Sequence, residues 1–137
     1  MTLRLTKQQL NCLESEVNKA YPVEACALLF GMLVQEEATV KRVIATNNVL
    51  QSTTRFEIDT KDFYEAFTKA DKDGLVFLGF FHSHPASAVP SRVDLHFMRL
   101  WGDAIWLIFS TTENRFAAFH MRNNKVHTLR LRVEGKN

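Results

Sequence analysis

The chain has 137 residues, 46% hydrophobic and 23% charged, with 17 basic and 15 acidic side chains for a formal charge of +2. That length suits one domain with its own core, and near-balanced charge with no run of five like charges excludes a nucleic-acid binder built on a basic face. No stretch reaches the ~18 apolar residues of a membrane span, MTLRLTKQQL lacks the apolar centre of a signal peptide, and Cys12 and Cys26 form no CxxC pair, so a cytoplasmic, reducing setting is expected.

In chain order, Thr6-Lys7-Gln8-Gln9 is a capping box, with Leu5 and Leu10 at the staple positions. Leu10, Leu13, Val17 and Ala20 then recur at helical spacing, predicting a helix from Lys7 to Lys19 or Ala20 that Pro22 stops. The apolar run Ala25 to Val34 predicts a buried strand, and the alternation from Thr39 to Ala45 predicts the next. Residues 47–54 are polar and turn-like, and Phe56 to Ile58 reads as a short strand. Asp59 or Thr60 caps a second helix with Phe63, Ala66, Phe67 and Ala70 on one face, and Asp73-Gly74 ends it. Leu75 to Phe81 is the most hydrophobic run and by length a central strand.

A loop with Pro85 and Pro90 follows. Ser91 opens a third helix to about Trp101, broken at Gly102-Asp103. Ala104 to Ser110, Arg115 to Met121 and Val126 to Val133 read as a three-stranded meander with turns at 112–114 and 123–124. The mildly basic alternation of Arg130, Arg132 and Lys136 reads as a strand's wet face. The fold class is therefore α/β: a mixed sheet flanked by helices, in one domain spanning 1–137.

The chemistry concentrates in Phe81-His-Ser-His-Pro-Ala-Ser-Ala-Val-Pro-Ser-Arg-Val-Asp94. His82 and His84 are two apart at the end of a strand, so both imidazoles point to one face. Asp94 lies in the first turn of the following helix, and a loop that folds back from the strand end can bring its carboxylate to the same point. Two histidines and one carboxylate leave one tetrahedral position open, the pattern of a catalytic zinc. Each piece also has a structural explanation: H-x-H alone is weak, and Ser91-x-x-Asp94 is also a helix cap. In this order behind a buried strand, they favour a metal site. A zinc hydrolase needs a proton-transfer group, and Glu24, at the entry to a buried strand, is the candidate. An ordinary solvated strand-end glutamate is the competing reading.

Together these residues resemble the JAMM, or MPN+, metalloprotease family. Its pattern is a Glu near the N-terminus, then His-Ser/Thr-His-Pro, then Ser-x-x-Asp after a short loop. Pro22-Val-Glu-Ala-Cys-Ala-Leu-Leu-Phe-Gly31 matches the Glu-bearing strand, residues 47–59 match a segment of short prokaryotic members, and His82 to Asp94 supply the signature. The resemblance implies the α/β fold shared with cytidine deaminases, and zinc on His82, His84 and Asp94. It implies Glu24 as the base that holds the attacking water and Ser91 as a stabiliser of the oxyanion. The implied substrate is the amide bond after the C-terminal Gly-Gly of a ubiquitin-like protein or its conjugates. A sulfur-carrier protein with the same ending, or a non-catalytic interaction module, are the alternatives, and a homodimer is compatible with the reading. One departure concerns the loop, where six residues rather than the usual seven separate His84 from Ser91. That puts the loop path and the placement of Ser91 in question more than the metal. A zinc deaminase needs H-x-E and P-C-x-x-C, which this chain lacks.

Cys26, Trp101 and Trp106 are expected to be core, and His96, His120 and His127 have no ligand partner at useful spacing.

Overall fold

The computed structural model describes residues 1–135, so Lys136 of the basic alternation lies outside the described residues. The elements are β1 (Thr2–Thr6), α1 (Lys7–Ala20), β2 (Cys26–Val34), β3 (Glu37–Thr46), α2 (Thr60–Lys72), β4 (Val76–His84), α3 (Arg92–Trp101), β5 (Ile105–Ser110), β6 (Arg115–Arg122) and β7 (Lys125–Glu134). The helices start where the caps predict. The Thr6 hydroxyl accepts from the Gln9 amide, the Asp59 carboxylate accepts from the Lys61 and Asp62 amides, and Ser91 accepts from Asp94. Such a cap contributes about 1 kcal/mol.

The strands form one mixed sheet in the order β1-β3-β2-β4-β5-β6-β7 that closes on itself through parallel pairing of β7 with β1. This closure and β1 itself were not foreseen. Leu3 and Leu5 alternate with polar neighbours at strand period and both are buried, so Leu5 is a strand residue as well as a staple. Phe56 to Ile58, read as a strand, has no regular structure. Its backbone is held by the Asn48 side chain rather than by a sheet.

The sheet separates two apolar clusters. On one face α1 contributes Leu10, Leu13 and Val17, packed with Leu3, Leu29, Phe81 and Leu107. On the other, Leu28, Phe30, Phe80, Trp106 and Ile108 pack with Phe63 and Ala70 of α2 and Met98 of α3. Burying each such Leu or Phe contributes about 1.5–3 kcal/mol. Trp106 is core as expected. Trp101 is a correction, because it packs against Phe63 and Phe80 yet is 45% exposed at the end of α3.

Two features set β4, which carries both histidines. It lies in the interior of the sheet, antiparallel to β2 and parallel to β5. A bulge leaves Leu78 without a partner on β2, and from Gly79 onward Phe80, His82 and His84 share one face. Gly79 allows the close approach of β5, because a Cβ there would stand 1.9 Å from the Ile105 carbonyl oxygen. No described helix is long and apolar enough to cross a membrane.

Candidate metal centre

β4 runs three residues beyond the apolar run, so His82 and His84 are inside the strand and paired with Ile108 and Ser110 of β5. Their Nε2 atoms lie 2.9 Å apart. Asp94, at the third position of α3, directs Oδ2 to 3.1 Å from His82 Nε2 and 3.0 Å from His84 Nε2. The same oxygen accepts from the Ser91 amide at 2.9 Å, so the capping box also aims the carboxylate. The helix-cap reading of Ser91-x-x-Asp94 therefore holds, and the same cap leaves the carboxylate facing both imidazoles. Glu24 arrives from the residue pair preceding β2, with Oε1 4.0 Å from His82 Nε2.

All four side chains are buried: Glu24 is 3% exposed, His82 0%, His84 6% and Asp94 5%. The solvated-glutamate reading of Glu24 is thereby excluded. The donor atoms of Glu24, His82 and His84 lie within 4.8 Å of one another, a grouping that could hold a metal ion. Asp94 is nearer to both nitrogens than Glu24 is. The structure thus distinguishes an inner set of His82, His84 and Asp94 from a more distant carboxylate.

The donor chemistry fits a cation. Two imidazole nitrogens and a carboxylate oxygen converge at about 3 Å, close to the roughly 3.3 Å edge of a tetrahedron with zinc-ligand bonds of about 2.0 Å. Glu24 Oε2 and His82 Nδ1 are buried without protein partners. His84 Nδ1 lies 3.4 Å from the Ser87 carbonyl, to which it donates, so the neutral ring would present its Nε2 lone pair to a metal.

Burial raises the Glu24 carboxyl to about 8, with His84 opposing and Asp94 adding to the rise. Burial also pushes Asp94 up, but hydrogen bonds from His82 and His84 outweigh it and hold this carboxyl well below the usual range. Burial lowers His82 despite Asp94. In His84 the same opposition ends the other way, and the Asp94 hydrogen bond leaves it raised. Glu24 is therefore the one carboxyl here that exchanges a proton near neutral pH.

Three further residues support the site, of which Ser83 lies within the His-Ser-His signature and Asn48 and Phe56 carried no clear sequence signal. Ser83, on the opposite face of β4, accepts from the Ala25 amide at 2.9 Å and ties the Glu24 segment to the histidine strand. Asn48, buried in the turn-like segment, donates to the carbonyls of Glu24 and Arg55 and accepts from the Leu50 and Glu57 amides. It thereby folds residues 48–57 over the site. Phe56, so placed, stacks on the His82 ring at 4.6 Å. An Asn in a polar stretch gives no warning of a bond to a residue 24 positions away. His96 is exposed on α3 beside Phe97 and does not join the site. His120 and His127 pair across β6 and β7, likewise outside the cluster.

The protein family described as prokaryotic homologs of the JAB domain matches residues 8–124. A desampylase of Pyrococcus furiosus is 34% identical over 113 residues, covering 82% of this chain and 77% of that one. The AMSH-like protease of Homo sapiens is 30% identical over 114 residues, covering 80% of this chain and 26% of that protein. The STAM-binding protein-like protein of Xenopus laevis is 41% identical over 83 residues, 60% of this chain and 19% of that protein. The chain thus spans most of the archaeal relative and about a quarter or less of the longer animal ones. The solution structure of a Desulfitobacterium hafniense protein superposes with a TM-score of 0.84 at 32% identity, covering 99% of this chain and 94% of that one. A Salinibacter ruber protein shares the fold at 24% identity, with a TM-score of 0.73 over 98% and 92% of the two chains.

Proposed function

The chain belongs to the family of prokaryotic JAB-domain homologues, the JAMM or MPN+ group, and on that premise we propose that it is a zinc-dependent peptidase. In this reading it hydrolyses the amide bond after the C-terminal Gly-Gly of a ubiquitin-like protein. The observation that carries the reading is the convergence of His82 Nε2, His84 Nε2 and Asp94 Oδ2 within 3.1 Å, with the Glu24 carboxylate just beyond. The names of relatives, a desampylase and AMSH-like proteases, support the substrate class.

His82, His84 and Asp94 would hold the zinc, with one tetrahedral position left open. Zinc held there would polarise the scissile carbonyl and lower the pKa of its bound water to about 7. Glu24 takes the proton of the attacking water and delivers it to the leaving amine. Burial, which raises the Glu24 carboxyl in the metal-free site, opposes the pull of a bound cation and so favours a carboxyl that can both take and return a proton. The Ser91 hydroxyl oxygen already accepts from the Asp94 amide, so its own proton is free to donate to the carbonyl oxygen as charge develops there. Beside His82, a groove of about 290 Å³ lined by Phe56, Phe63, Phe80, Val93, Phe97 and Trp101 provides an apolar bed for the substrate's tail.

The test uses two substrates, a Gly-Gly-ended ubiquitin-like protein joined to a lysine side chain and the same protein extended linearly by one residue. Release of the free Gly-Gly form, abolished by a chelator and restored by zinc, is expected. Preference for the linear substrate would favour processing of a sulfur-carrier protein. No cleavage of either by the zinc-loaded chain would refute the enzyme reading and favour an interaction module.

A further inference from the structure

The loop Pro85–Pro90 joins the two histidines to Ser91 and Asp94, and it is short. Short loops between two halves of a site must be held in one path, or the halves drift apart. Ser110 at the end of β5, with Thr111 and Glu113 of the β5–β6 connection, holds the loop and the strand end that leads into it. Thr111 donates to the His84 carbonyl twice, from its amide at 2.9 Å and its hydroxyl at 3.1 Å. Ser110, fully buried, donates its hydroxyl to the Ala86 carbonyl at 2.5 Å and accepts from the Glu113 amide at 2.9 Å. The Glu113 carboxylate then accepts from the Ala88 amide at 3.0 Å. Ala88 is itself buried in the cluster beneath α3, so the loop is pinned from above and below. Between the pinned residues lies Ser87, whose carbonyl faces His84 Nδ1 at 3.4 Å.

We propose that Ser110 and Glu113 are positioning residues for the metal centre, acting through the 85–90 loop on the ring orientation of His84 and on the placement of Ser91. The proposal rests on the zinc-peptidase reading for its consequence, but the brace itself does not depend on metal. The physical sequence is direct. Glu113 and Ser110 fix Ala88 and Ala86, and these fix the intervening Ser87 carbonyl. That carbonyl holds the hydrogen on Nδ1 of His84 and so keeps Nε2 turned to Asp94. Partners of this kind typically control metal affinity by 10–100-fold. The connection lies outside the signature residues, and it gives the six-residue loop a defined path.

The test compares wild type with Glu113→Ala, Glu113→Gln, Arg115→Ala and the double variant Ser110→Ala/Glu113→Ala. Gln keeps an acceptor for the Ala88 amide. Arg115→Ala removes the ion pair at 3.1 Å and leaves that acceptor in place. Amide hydrogen exchange of Ala88 is read in metal-free protein, zinc retention against a competing chelator, and kcat and KM on the Gly-Gly conjugate. Glu113→Ala is expected to expose the Ala88 amide to exchange and the double variant to weaken zinc at least tenfold. In the double variant kcat should fall while KM stays near wild type, because the apolar groove is untouched. Glu113→Gln and Arg115→Ala should behave as wild type. An Ala88 amide that exchanges equally fast in wild type and Glu113→Ala overturns the brace. Unchanged zinc retention in the double variant overturns its positioning role. If wild type takes up no zinc, the peptidase reading and the positioning role fail together, while the exchange result still decides the brace.

Discussion

Replacing Glu24 by Gln separates the catalytic role proposed for this buried carboxyl from its effect on stability. The change keeps size and shape while removing the transferable proton. General acid–base groups contribute about 10²–10⁴-fold, so kcat should fall within that range with zinc content unchanged, since the nearer donors are His82, His84 and Asp94. The stability effect has the opposite direction. In metal-free protein, burial holds the Glu24 carboxyl at about 8 rather than 4.5. Between those values the unfolded chain releases the proton and the folded chain keeps it, so wild-type stability declines as pH rises from about 4.5 to 8 and then levels off. At about 1.4 kcal/mol for each tenfold difference, the full cost above pH 8 is on the order of 4–5 kcal/mol as a ceiling. The Gln variant lacks this decline. Urea denaturation in chelator at pH 5, 7 and 9 should show a stability gain for the variant that grows with pH. A gain that is the same at all three values would refute the assignment of the raised carboxyl to Glu24. Loss of zinc by the variant would make Glu24 a ligand instead of a base.

Metal removal should destabilise wild type. At a free zinc concentration 1,000 times Kd, binding contributes about 4 kcal/mol, so a chelator should lower Tm, whereas Asp94→Ala and His84→Ala should show no zinc-dependent shift and no activity. Gly79→Ala should cost about 3 kcal/mol or more, because its Cβ would overlap the Ile105 carbonyl. A denaturation midpoint within error of wild type would show that β4 and β5 need no such approach. Burial, with Arg122 and His127 nearby, holds His120 below its ordinary 6.5. The folded state thus binds fewer protons than the unfolded state just below pH 6.5, and stability should fall as pH drops through that value. His120→Phe should flatten this part of the stability–pH curve, measured by thermal melts from pH 7.5 to 5.5.

Much of the site was written locally in the chain. The i, i+2 spacing of His82 and His84 on a strand puts both rings on one face wherever that strand lies. The Ser91–Asp94 capping box needs only its own helix to orient the carboxylate. Helix starts at Thr6, Asp59 and Ser91, and left-handed turn residues at Asn114, Asn123 and Asn124, are likewise set by neighbours a few positions away.

What the sequence left open depended on distant partners. β1 adds only five residues, too few for its alternation to stand out, and it becomes a strand because β3 and β7 both offer it hydrogen bonds. The burial of Glu24, which removes the solvated reading, follows from Asn48 and Ser83 holding residues 24 and 25 in place. Phe56 stacks on His82 instead of joining the sheet because Asn48 takes the backbone bonds of its neighbours. The sequence alone determined which residues are the candidates for the chemistry and which way they point along their own elements. The tertiary structure decided which of them meet, because desolvation and hydrogen bonding between segments far apart in the chain exist only once the sheet has closed.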